Sequence, residues 1–107
     1  MDTNLQLLAP WVAVDDSESQ RFEDEYAAEI AKGHPLYGVP VKAIARRADS
    51  NDVLFRLLRH LCDYAVVRLS WSGREELSPD SPHLDLYVDD QDLTEKRLIP
   101  DQHEHQS

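Results

Sequence analysis

A chain of 107 residues, 41% apolar and 30% charged, has the composition of one globular domain, large enough to bury a core and too short for two. Its formal charge is −10, from 21 acids and 11 bases, which disfavours nucleic acid and anionic membrane as partners because phosphate binding relies on clustered Lys and Arg. The single cysteine, Cys62, excludes an intramolecular disulfide, and no Cys/His set has zinc-finger spacing.

The N-terminal residues lack the cationic region of a signal peptide, and no apolar run approaches the roughly 20 residues of a membrane span. The expected location is the cytoplasm. Charge is unevenly divided: residues 1–41 carry a net −6, residues 42–74 a net +4 and residues 75–107 a net −8. Acidic flanks enclose a basic centre. Part of this layout is self-complementation, in which exposed pairs contribute little each; the surplus suits a cationic partner.

Residues 5–14 are apolar but interrupted by Pro10, which argues against a helix and for an extended arm over 1–16 that packs Trp11 on the body. The next stretch predicts a helix over 17–32. Ser17 and Gln20 fit a capping box, Glu18, Glu23, Asp24 and Glu25 crowd the early turns, and Gly33 offers a C-terminal stop. Phe22, Tyr26 and Ile30 form a narrow stripe able to lie on a sheet. The following His34-Pro35-Leu36-Tyr37-Gly38-Val39-Pro40 is a shaped connection.

Val41 to Arg47 reads as a strand, with Val41, Ala43 and Ala45 on one face and Lys42, Ile44 and Arg46 on the other. Asp49-Ser50-Asn51-Asp52 supplies turn chemistry. Residues 53–62 are ambiguous: Val53, Leu54, Leu57, Leu58 and Leu61 share a helical face, yet Val-Leu-Phe after a turn also makes a short buried strand. Tyr64 to Trp71 is the clearest strand, with Ala65, Val67, Leu69 and Trp71 inward. A Pro-containing loop over 74–83 leads to a short strand around Leu84, Leu86 and Val88, at a sheet edge where Asp85 would discourage aggregation. A short helix over 91–98 should stop at Pro100, leaving 99–107 as a disordered tail.

No phosphate-binding glycine loop, nucleophile elbow or zincin helix is present, and His103-Glu104-His105 has too few ligands for a preorganised metal site. The sequence therefore predicts no catalytic residues, no metal and no cofactor. The segments Gly-His-Pro-Leu-Tyr-Gly (33–38), Val-Lys-Ala-Ile-Ala-Arg-Arg (41–47), Asn-Asp-Val-Leu-Phe (51–55) and Tyr-Ala-Val-Val-Arg-Leu-Ser-Trp (64–71) resemble a group of small bacterial proteins with no established activity. The resemblance spans about residues 20–95 and implies that Asp52-Val-Leu-Phe begins a strand. Arg68 stands where such proteins often have His, which weakens an argument for a His34-centred site.

The expected fold is thus α+β: one domain over 17–98, its helix packed on a three-stranded antiparallel meander near 41–47, 53–58 and 64–71, then a short strand and a short helix. The expected function is that of a small acidic interaction protein, an immunity- or antitoxin-like inhibitor of a basic protein such as a toxin. Glu23, Asp24, Asp85, Asp89, Asp90 and Asp92 are its candidate partner-binding residues. One alternative is a ligand-binding module or enzyme centred on His34, Tyr37 and Trp71; another is an accessory subunit or homodimer that uses a sheet edge.

Overall fold

In the computed structural model, residues 7–30, 36–69 and 84–106 are described. His34, Trp71 and the Pro-containing loop fall outside them. Five strands form one antiparallel sheet in the order β1-β2-β3-β4-β5, with bounds Trp11–Ala13, Val41–Arg47, Asp52–Leu57, Tyr64–Arg68 and Leu84–Tyr87. The expected three-stranded meander is therefore the middle of a wider sheet. The apolar arm adds β1 on β2, because Pro10 precedes the ladder and blocks none of its donors.

Helix α1 runs Asp16–Glu29. Its N-cap is Asp15 instead of the expected Ser17: the Asp15 carboxylate accepts from the Glu18 amide at 2.8 Å, which leaves Ser17 in the first turn. The helix ends earlier than 32, where Ile30 turns extended and donates its amide to Tyr26 O. Phe22, Tyr26 and Ile30 are buried against Val53, Phe55, Leu57, Ala65, Val67 and Leu69. The Tyr26 and Phe55 rings lie 5.0 Å apart and tilted, a favourable arrangement for aromatic quadrupoles.

The opposite sheet face is covered as well. Helix α2, Asp90–Leu93, passes into a π-helical stretch, Thr94–Leu98, and then into α3, Ile99–Gln106. These elements close a second core of Trp11, Ala45, Leu54, Tyr64, Val66, Tyr87, Leu93 and Leu98. Residues 99–106 are thus a helix where a disordered tail was expected. Pro100 does not stop the chain because the wide π turn precedes it: Ile99 donates to Thr94 O, five residues back, and the missing donor at Pro100 falls where the ladder is already widened. Leu93 and Leu98, five apart, consequently share one buried face.

A β-bulge sets which residues of β2 meet which core. Ala43 pairs with Phe55 but Ala45 pairs with Leu54, so Ile44 is the extra residue. The extra residue reverses the alternation: Ala43 joins the α1 core while Ala45 and Arg47 turn to the other face. The expected grouping of Ala43 with Ala45 on one face is corrected by this bulge.

Candidate functional site

Among the described residues, most ion pairs are gathered on the face covered by α2 and α3. Asp52 begins β3, and alternation points its side chain to the same side as Leu54. Its carboxylate accepts from Arg68 Nε at 3.0 Å and Nη2 at 3.3 Å, and from Arg97 Nη2 at 3.0 Å. Arg97 also donates Nη1 to Asp85 at 3.1 Å and Nε to Asp101 at 2.9 Å. Asp101 in turn accepts from the Trp11 indole at 2.8 Å and pairs with Arg47 Nη1 at 3.4 Å. Arg47 closes the chain on Asp49 and Glu104.

This network is nearly dry at its centre, where Asp52 is 2% exposed, and opens to water at Arg68. Burial pushes the Asp52 carboxyl up, but the hydrogen bond and charge of Arg68, the charge of Arg97 and the Ser50 hydroxyl outweigh it and hold the group below its usual range. Arg47 and Arg97 pair with these acids from covered positions and Arg68 from a largely exposed one. They link β2, β3, β4, β5, the π stretch and α3.

The sequence-predicted partner-binding acids divide into two groups. Glu23 and Asp24 lie on α1, on one side of the sheet; Asp85, Asp89, Asp90 and Asp92 gather at β5 and α2 on the other. Glu23 holds the strand beside the bulge: its carboxylate accepts from the Ala43 amide at 3.1 Å and lies 3.8 Å from Lys42 Nζ. Ser19 completes the clasp, its one proton shared between Ala43 O at 2.7 Å and Glu23 Oε2 at 2.8 Å. Asp24 is exposed and accepts from Gln20 at 2.9 Å.

In the second group, Asp89 is the N-cap of α2 and accepts from the Asp92 amide, while Asp90 accepts from the Tyr64 hydroxyl. Asp92 accepts from the Val88 amide and from Lys96, and these two contacts hold its carboxyl below the usual range. Asp85 is the Arg97 partner already described. The acids that charge counting singles out thus have local structural work; Asp24 and Asp89 are exposed, while Glu23, Asp85, Asp90 and Asp92 are partly covered. The residues that sequence reasoning missed are Asp52, Asp101 and Arg97. A lone acid at a strand start and another beyond a proline give no local signal of their meeting.

Two open clefts flank α1. One of about 260 Å³ lies between its first turns and the β2–β3 turn, lined by Glu18, Arg21, Arg46, Ser50 and Asn51 among others. The other, about 330 Å³, is apolar and lies at the helix end against Tyr26, Ile30, Leu36 and Tyr37. Of the alternative site His34, Tyr37 and Trp71, only Tyr37 is among the described residues, where it is half exposed. No group of three or more His, Cys, Asp or Glu among the described residues is arranged to hold a metal. No helix among them is long and apolar enough to cross a membrane.

Comparison of the chain with protein-family models, with curated proteins and with solved structures finds no match. The functional reading accordingly rests on the geometry and charge of the chain itself.

Proposed function

We propose that this chain is a small acidic interaction protein, an immunity- or antitoxin-like inhibitor that covers a basic protein surface. The observation that supports the reading most directly is the fate of its cations. Lys42, Arg46, Arg47, Arg68, Lys96 and Arg97, six of the chain's 11 cations, each pair with a carboxylate of the same chain, so the charge of these six is partly neutralised within the fold. The chain as a whole keeps a surplus of −10. Such a field draws a basic partner in from a distance and accelerates encounter, with an effect that salt screens.

Co-purification of the full chain from its native host at low salt tests the reading. The expected result is a basic protein in stoichiometric amount, released as salt is raised; recovery of the free chain alone would overturn it. A second reading, a small ligand-binding module, is favoured by the apolar cleft beside Tyr37, whose volume of about 330 Å³ falls near the lower end of small-molecule sites. A Tyr37→Ala variant that retains full activity toward the basic partner would separate the two.

A further inference from the structure

The geometry points to the outer edge of β5 as the docking strand for an extended, cation-bearing segment of the basic partner, joined to the sheet by main-chain hydrogen bonds. This inference rests on the acidic-surface reading and adds to it a place and a mode.

The direction of each backbone group follows from the ladder. Leu57 donates to Asp63 O and Leu69 to Asn51 O, so odd-numbered residues of β3 and β4 face each other. Even-numbered residues of β4 then face β5, and the register places Asp85 and Tyr87 opposite Val66 and Tyr64. Leu84 and Leu86 therefore turn both N–H and C=O away from the sheet. Among the described residues nothing pairs with that side.

Some other edge positions are occupied by the chain itself. Ala43, beyond the reach of β1, has its amide and carbonyl held by Glu23 and Ser19. The Trp11 amide donates to Leu8 O, and the Val88 amide donates to Asp92. At the β5 edge, Leu84 and Leu86 have no such partner among the described residues.

Side chains around the opening describe the occupant. Leu61 is 95% exposed, Val88 58% and Leu86 38%, and the Asp63 amide donates to Val88 O, bringing the β3–β4 loop to the same end of β5. Three acids lie close by: Asp63, whose amide meets Val88 O, Asp89, the N-cap of α2 just past β5, and Asp85 in β5, whose side chain is 42% exposed while it pairs with Arg97. An added strand that alternates apolar residues with Lys or Arg would set its apolar side chains beside Leu86 and its cations near these acids. A second copy of this chain is the poorer occupant, since it brings −10 against −10.

The test uses the full chain, labelled with ¹⁵N, and three probes: a capped peptide alternating Lys and Val, the same peptide N-methylated along its pairing edge, and oligo-lysine. The alternating peptide should shift the amides of Leu84, Leu86 and Val88 and slow exchange of the Leu86 amide by about tenfold. N-methylation should weaken binding by about tenfold or more, and Leu61→Lys, at a site too exposed to affect folding, by roughly fivefold. Equal binding of the N-methylated peptide, or shifts confined to α1, would overturn edge docking while leaving the acidic-surface reading in place. Concentration-dependent shifts of the same amides without peptide would overturn it in favour of self-association. If neither the peptides nor oligo-lysine bind at low salt, both readings fall.

Discussion

Replacing Asp52 by Asn removes the charge at the centre of the ionic network while keeping its shape. Two arginines lose an ionic hydrogen-bond acceptor, but their losses differ. The Arg68 side chain is 62% exposed and can turn to water, so its share is within about 1 kcal/mol. Arg97 is mostly covered yet keeps Asp85 and Asp101, so the variant avoids the roughly 3–5 kcal/mol cost of orphaning a buried charge. The sum is a destabilisation of about 2 kcal/mol at neutral pH, or about 8 °C in Tm for a domain of this size.

The pH dependence of this loss has a definite sign. A carboxyl held below its unfolded value contributes stability that is present above the unfolded pKa, about 3.9, and lost as pH falls through the folded one. Urea unfolding of both proteins at pH 7 and pH 3, followed by far-ultraviolet circular dichroism, should show the full gap at pH 7 and a smaller one at pH 3. A gap within about 0.5 kcal/mol at pH 7, the scale of an ordinary surface substitution, would refute the account of the network. So would a gap that does not narrow in acid.

Glu23→Ala should cost about 1–2 kcal/mol and speed hydrogen exchange at the Ala43 amide, because a covered donor loses its acceptor; an unchanged exchange rate would deny the clasp. Burial pushes the Tyr26 hydroxyl up to about 12, so it should still be protonated at pH 11 by ultraviolet titration. Its unfolded form ionises near pH 10, so stability should fall between pH 10 and about 12, at up to roughly 1.4 kcal/mol per unit. A Tyr26→Phe variant should lose that slope.

Legibility in the sequence followed the range of the contacts. The Phe22, Tyr26, Ile30 stripe and the alternation of Ala65, Val67 and Leu69 are local patterns, and the same residues form the α1 core. The bulge at Ile44 was invisible because Val41, Ala43 and Ala45 already alternate without a break. In residues 53–62 the apparent helical stripe is divided: Val53 and Leu57 face α1, Leu54 faces the other core, and Leu58 and Leu61 are exposed.

The C-terminal layer was hardest to read. Leu93 and Leu98 are spaced for a π turn, not an α-helix, and Pro100 suggested a stop. Asp101 looked like part of a polar tail, yet its partner Trp11 lies 90 residues earlier in the chain. Charge alone singles out the six candidate partner-binding acids, and it carries no sign that Asp89 caps α2 or that Glu23 holds Ala43.

The most direct test of the central claim is the salt dependence of complex formation in native co-purification. The account predicts a basic partner bound at low ionic strength, with affinity falling steeply as salt rises, since the surplus of −10 provides the attraction. Recovery of no partner, or of an acidic one whose binding is indifferent to salt, would contradict it.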